Sequence, residues 1–278
     1  MTYCVAMRLN AGLVFLSDSR TNAGMDQIST FRKMTVFEQP GDRTLVVLSA
    51  GNLAITQAVK QLLGSETIEG SDGEPCTIWT AKSLFDVARI VGSAVRKVHA
   101  RDAEALKQHG IDFNCSLIVG GQIKGETMRL FNVYAAGNFV EAGIDGVCYF
   151  QIGESKYGKP VIDRVITPTT PLEEAAKCAL ISMDSTLKSN LSVGLPLDLL
   201  VYEANALKVE RLIHIDESDA YFRMIRSTWG QRLRQVFDSI PDPTWQGNQA
   251  DAADAGCLPP ASQAQAMNPL SKIHAPNG

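Results

Sequence analysis

Two blocks of short β-prone runs, each followed by helical periodicity, most limit what this chain can fold into. From Thr2 to Arg8 apolar and polar residues alternate. "NAG" at residues 10–12 then supplies turn residues, and "LVFLSDSR" predicts the second strand of a hairpin ending near Asp18. After the polar stretch "TNAGMDQIST", the runs "FRKMTVFE" and "TLVVLSAG" flank "PGDR" and predict a second antiparallel pair. Leu53, Ile55, Ala58, Val59, Leu62 and Leu63 then fall at helical spacing. Beyond a Gly- and Ser-rich loop, Leu84, Val87, Ala88, Val91, Val95 and Val98 repeat that spacing over more than three turns.

A second β-rich block, "FNCSLIVGGQI", "TMRLFNVYAAG" and "VCYFQIGES", is expected to form the other sheet, with Gly120 and Gly121 or Gly125 marking bends. At "TPLEEAAKCALISMDSTL", Thr170 reads as a cap, Pro171 suits the first helical position and Glu173 completes a capping box. Leu172, Ala175, Ala176, Ala179, Met183 and Leu187 form the buried stripe of this helix. "LDLLVYEA" and "VERLIHID" predict a closing hairpin, and 218–237 a final helix stopped by "IPDP". Strands, helices, strands and helices in this order suit an α+β fold. The expected architecture is a four-layer αββα sandwich of two antiparallel sheets with helices on the outer sides.

The 278 residues are 45% hydrophobic and carry a net charge of −4, which argues against a nucleic-acid binder that needs a basic face. The N-terminus lacks a basic segment leading into an apolar run, and no stretch approaches a membrane span, so a cytoplasmic location and no membrane partner are expected. Cys4, Cys76, Cys115, Cys148, Cys178 and Cys257 form no CxxC pair and read as reduced, buried thiols. His99, His109, His214 and His274 share no metal-ligand spacing, so neither a metal nor another cofactor is expected. No GxxxxGK[ST] occurs, so any ATP-driven unfolding needs a separate partner. Residues 246–278 lack apolar periodicity and read as a disordered tail behind one domain over 1–245.

Thr2 is small enough to favour removal of the initiator methionine, after which one residue holds a hydroxyl nucleophile and an α-amine base. The amine has an unperturbed pKa of about 7.7–8.0, so only roughly one in seven is free base at neutral pH. A nearby lysine ammonium lowers that value, and a carboxylate holds the lysine in place. Asp18, at the end of the hairpin, and Lys33, in "FRKMTV", are placed to do this. In "SAGN", Gly51 at a strand-to-helix junction offers a backbone N–H to a developing oxyanion. Each residue alone has an ordinary structural explanation; the order Thr, Asp, Lys, Gly on strand, turn, strand and helix does not. Cys4 reads as a small buried thiol rather than a second nucleophile.

At these residues, and over about the first 240, the sequence resembles proteasome β-type subunits, which are N-terminal nucleophile hydrolases. Within that group it is most similar to the bacterial ancestral β-subunit family called Anbu. "MTYCVAMRLNAGLVFLSDSRTNAGMDQISTFRKM", "SAGNLA" and "SNLSVGLPLDLL" carry the likeness. The resemblance implies that Thr2 is the nucleophile, that Asp18 and Lys33 tune its amine, and that Gly51 stabilises the oxyanion. In the wider family a Ser-Gly pair and an Asp-x-x-Ser-Gly element support the nucleophile. Here those regions read "IGESKYG" and "SNLSVG", which makes Glu154, Ser155, Asn190 and Ser192 supporting candidates and exchanges an expected Asp for Asn.

By the same analogy Thr21, Phe31, Ser49 and Leu53 line a small, partly apolar substrate pocket without a charge selector. The resemblance also implies self-association as a ring or open spiral, with transglutaminase-like and ATP-grasp proteins as linked partners. The leading expectation is a threonine peptidase acting on peptide or protein substrates through an acyl-enzyme. An amidohydrolase for a small amide or isopeptide is an alternative, as is a weakly active assembly scaffold.

Overall fold

In the computed structural model, which describes residues 1–22, 28–143 and 146–243, the first hairpin forms where the alternation predicts it. Strands β1 (Tyr3–Leu9) and β2 (Gly12–Asp18) pair antiparallel from Cys4↔Ser17 to Leu9↔Gly12 across Asn10 and Ala11. There follow β3 (Arg20–Asn22), β4 (Ile28–Thr30), β5 (Met34–Gln39), β6 (Arg43–Gly51), α1 (Leu53–Leu63), β7 (Ile68–Glu69), β8 (Pro75–Cys76) and α2 (Leu84–Gln108). The second half contains β9 (Cys115–Ile123), β10 (Arg129–Val133), β11 (Phe139–Glu141), β12 (Tyr149–Gly153), α3 (Lys159–Val165) and α4 (Leu172–Ser189). It ends with β13 (Leu197–Glu203), β14 (Arg211–Ile215) and α5 (Ala220–Ser239). The chain divides into a unit Met1–Arg234 and a segment Gln235–Gly278. The tail expected from residue 246, with Cys257 and His274, lies outside the described residues.

Four layers follow from the parity of the strand residues. Tyr3, Val5 and Met7 of β1 and Val14 and Leu16 of β2 pack with Ala175, Ala179 and Met183 of α4. Cys4, Ala6, Leu13 and Phe15 instead meet Val46, Leu48 and Ile118 between the sheets. On the far side, Leu45 and Val47 of β6 and Leu117 and Val119 of β9 pack under Val59 of α1 and Val87, Val91 and Val95 of α2. Both faces of β1, β2, β6 and β9 are therefore covered, which is the αββα sandwich. Phe15 is fully buried, and a Cβ on Gly120 would stand 2.9 Å from its ring, so the ring fills the gap between the sheets. Phe15→Ala is expected to cost about 3–5 kcal/mol, read as a lower urea midpoint at unchanged slope.

The partition of strands differs from the sequence reading. The second β-rich block does not form the other sheet by itself. One sheet runs β12-β1-β2-β13-β14 and the other β11-β10-β9-β6-β5, so each draws on both halves of the chain. The reason is the pairing of β6 with β9, from Arg43↔Ile123 to Gly51↔Cys115. Gly121, at φ +150°, lets β9 pass so close that a Cβ there would stand 1.9 Å from the Thr44 carbonyl oxygen. Gly120 and Gly121 are thus points of close approach inside a strand rather than bends.

The capping box at α4 does not form either. Pro171 occupies the cap position without a side-chain bond, Thr170 Oγ1 accepts the Thr167 N–H at 2.9 Å, and Glu173 reaches Arg211. The local Thr-Pro-Thr-Thr turn outcompetes the helix end for the hydroxyl. The ribbons β3–β4 and β7–β8, strand β11 and helix α3 have no counterpart in the sequence reading, being too short for a periodic signal.

Candidate active site

The even positions of β1 face the gap between the sheets, and Thr2 stands where that gap opens. Its carbonyl accepts the Glu154 N–H at 2.7 Å, and the next amide, of Tyr3, donates to Asp18 Oδ1 at 3.0 Å. These bonds hold Thr2 between the ends of β2 and β12. Lys33, one residue before β5, extends Nζ to Asp18 Oδ2 at 2.7 Å and to the Arg20 carbonyl at 2.7 Å. The pair is buried, with side-chain exposures of 7% for Lys33 and 0% for Asp18. Burial pushes the Asp18 carboxyl above its ordinary value, opposed by the Lys33 ammonium and by the N–H groups of Tyr3 and Gly194.

Ser49 ties the end of β6 to the same place, since its N–H and Oγ both donate to the Lys33 carbonyl, at 3.0 and 3.2 Å. Two residues on, Gly51 adopts φ +111°, and a Cβ there would lie 2.3 Å from the Asn114 carbonyl oxygen. Glycine is therefore required by backbone conformation and by contact. The chain turns at this point into α1, whose cap Asn52 accepts the Ala54 N–H at 3.0 Å.

Thr2, Lys33 and Gly51 line one cleft of about 500 Å³, together with Ser49 and Leu53 of the expected pocket. Phe31 does not line it: its N–H donates to the Ser19 carbonyl and the residue is 39% exposed. The side chain of Thr21 lies outside the described residues. The pocket was expected to have no charge selector; Arg20 and Arg32 are among the residues lining the cleft. Both lie within two residues of Asp18 or Lys33, so their proximity was the available signal.

The amine at the cleft belongs to Met1. Burial lowers its pKa first and the Lys33 ammonium lowers it further, while Asp18 and Glu154 oppose. Asn190 does remove a carboxylate from its element, but the site keeps a negative charge. Asn190 Nδ2 donates to Glu154 Oε2 at 3.0 Å, so Glu154 brings the carboxylate from the end of β12. Asn190 Oδ1 also accepts the Ser192 N–H at 2.9 Å, which shapes the loop after α4. Ser155 contributes backbone bonds, donating to the Gly153 carbonyl and accepting from Lys159.

Cys4 is fully buried beneath the cleft with Sγ 3.8 Å from the Ser49 carbonyl oxygen, and burial pushes its thiol far up, which makes it inert. His214, unremarkable in the sequence, meets the buried Asp198 at 3.1 Å on neighbouring strands. Among the described residues no group of three or more metal-ligating side chains assembles, and no helix is long and apolar enough to cross a membrane.

A four-layer αββα sandwich whose first strand delivers its N-terminal residue to a cleft between the sheets defines the class: the N-terminal nucleophile hydrolase fold of proteasome β-type subunits. Anbu (ancestral β-subunit) from Yersinia bercovieri superposes with a TM-score of 0.79 at 54% identity, covering 88% of this chain and 100% of that one. The chain belongs to the Anbu family. An Anbu mutant, Gly-1, from Hyphomicrobium sp. strain MC1 matches at 47% identity over 88% of this chain and 100% of that one, with a TM-score of 0.79. Anbu from Pseudomonas aeruginosa, solved as a helical assembly, matches at 47% over 89% and 100%, also at 0.79. No protein-family model and no curated protein matches the chain.

Proposed function

We propose that the chain is a threonine-type endopeptidase whose nucleophile, Thr2, is freed by removal of Met1. The observation that carries this reading is the convergence of Thr2, the buried Asp18–Lys33 pair and Gly51 on one cleft that also holds the N-terminal amine. After Met1 is lost, the Thr2 amine stands one residue deeper, about 3.8 Å along the Cα trace, toward Lys33 and Asp18. Thr2 Oγ1 adds to the scissile carbonyl carbon while its proton passes to the amine, and the carbonyl π electrons move onto oxygen, which the Gly51 N–H receives. Collapse breaks the C–N bond, and the leaving amine takes the proton from the α-ammonium. Water then adds to the ester, giving its proton to the amine, and the ester bond breaks with return of that proton to Oγ1. Self-association into an open helical array is part of the proposal, supported by the helical assembly of the Pseudomonas aeruginosa relative.

Intact-mass spectrometry before and after a peptide epoxyketone tests the chemistry, because the epoxyketone closes its ring on both the hydroxyl and the amine. Loss of Met1 with one adduct per chain, absent in Thr2→Ala, is the expected result; retained Met1 or no adduct overturns it. The pH profile of labelling supplies a second check. The base works deprotonated, and since burial and Lys33 depress the pKa of the Met1 amine, the Thr2 amine that replaces it is expected to be depressed in the same direction, with the rate rising through a midpoint below about 7.7–8.0. Glu154 raises the pKa of the Met1 amine and is expected to act on the Thr2 amine in the same sense, so Glu154→Gln is expected to move that midpoint to lower pH, and a shift upward would contradict the assignment.

A further inference from the structure

The cleft beside Thr2 holds more positive charge than the chemistry uses. Arg20, Arg32 and Lys33 line it, and among the described residues none of those lining it is acidic. Asp18 is engaged with Lys33 and the Tyr3 N–H, and Glu154 with Asn190 and Lys156. Beneath the cleft, Lys60 of α1 points its half-buried ammonium at the carbonyls of Arg32 and Lys33, at 3.3 and 3.4 Å. The Lys33 carbonyl is the same one that Ser49 Oγ touches, so Ser49 lines the cleft and the Lys60 ammonium stands behind that lining. Among the described residues no carboxylate lies within ion-pair distance of Lys60, Arg32 or Arg20. Burial and the Lys33 ammonium pull the Lys60 pKa down, as expected for a cation that lacks a counter-ion. Arg20 also lines the cleft, but its guanidinium lies over the loop between α4 and β13, with Nη1 on the Leu191 carbonyl at 3.3 Å and Nε against Gly194. The first turn of α1, which opens on the cleft through Leu53 and Thr56, carries no acidic residue to offset its positive end.

We propose that this pocket recognises a carboxylate side chain, so that the substrate is a peptide with glutamate or aspartate on the acyl side of the bond that Thr2 attacks. Arg32, which lines the cleft, is the main specificity-determining residue, and Lys60 adds its charge from behind Ser49 and the Lys33 carbonyl. A carboxylate placed over Ser49 supplies the missing counter-ion in a partly desolvated site, where a charge-assisted bond is stronger than in water. The location of the scissile bond rests on the reading of Thr2 as nucleophile; the recognition of the carboxylate does not.

Two measurements separate these statements. In the first, the rate of adduct formation is followed by intact mass for three tripeptide epoxyketones identical except for Glu, Leu or Arg at the reacting residue. Glu is expected to react about tenfold faster than Leu at low salt, with the ratio shrinking as salt rises and Arg slowest. Lys60→Met and Arg32→Ser are each expected to narrow the Glu-to-Leu ratio at least about threefold; Arg32 is exposed, so its variant guards against a folding defect at Lys60. In the second, calorimetry on Thr2→Ala compares tripeptide amides ending in glutamate or glutamine, which differ only in charge. Tighter binding of the glutamate peptide supports the proposal even if no epoxyketone labels the protein, a pattern that removes the nucleophile and keeps the pocket. Equal binding of the two peptides, or labelling by Leu as fast as by Glu, overturns the carboxylate recognition and leaves the nucleophile standing.

Discussion

Lys33→Met is expected to destabilise the protein by about 3–5 kcal/mol, because it leaves the Asp18 carboxylate buried without its counter-ion. The methionine refills the volume of the aliphatic stem, so the loss belongs to the charge and not to a cavity. Labelling by an epoxyketone at neutral pH is expected to fall about tenfold or more in the same variant, since the N-terminal amine keeps its burial but loses the cation that also lowers its pKa. The double variant Asp18→Asn with Lys33→Met removes both charges and is expected to recover most of the stability and none of the labelling. With Asp18→Asn alone added, urea unfolding and labelling rates of the four proteins, wild type included, form a closed cycle. If Lys33→Met labels at the wild-type rate, the lysine has no part in activating Thr2.

Gly51→Ala is expected to cost about 2–4 kcal/mol, the sum of a left-handed backbone forced on alanine and a contact that must open. The methyl group would lie 2.3 Å from the Asn114 carbonyl oxygen, which also accepts the Asn52 N–H at 2.9 Å. Relief of the contact therefore pulls on the bond that starts α1. It also displaces the Gly51 N–H from the cleft, so labelling is expected to slow by more than the fraction of unfolded protein explains. A variant with normal unfolding and normal labelling would show that the junction tolerates a side chain and that the N–H is not used.

How much of this was legible in the sequence depended on the range of the interaction. The β1–β2 hairpin, α1 and the long α2 follow from local alternation or helical spacing, and each formed with bounds close to those expected. The partition into sheets did not follow, because Gly51↔Cys115 and Leu197↔Asp18 join residues far apart in the chain. The Thr170 cap failed because a neighbouring turn competed for the same hydroxyl. In the site, Thr2, Asp18, Lys33 and Gly51 were named from their order and types. The replacement of a lost aspartate by Glu154 became visible only when β12 came to rest against β1, from Tyr3↔Gly153 onward.

The sequence by itself determined the layers, the junctions and the identity of the groups at the cleft, because these rest on period, turn chemistry and side-chain type. Only the tertiary structure decided which strands share a sheet and what charge the cleft carries. Arg32 comes from the segment before β5 and Lys60 from α1, and the two meet at the Arg32 carbonyl only after the sheets have stacked and the chain has turned into α1 at Gly51. Electrostatic character is a sum over distances, and distances between remote residues are set by packing.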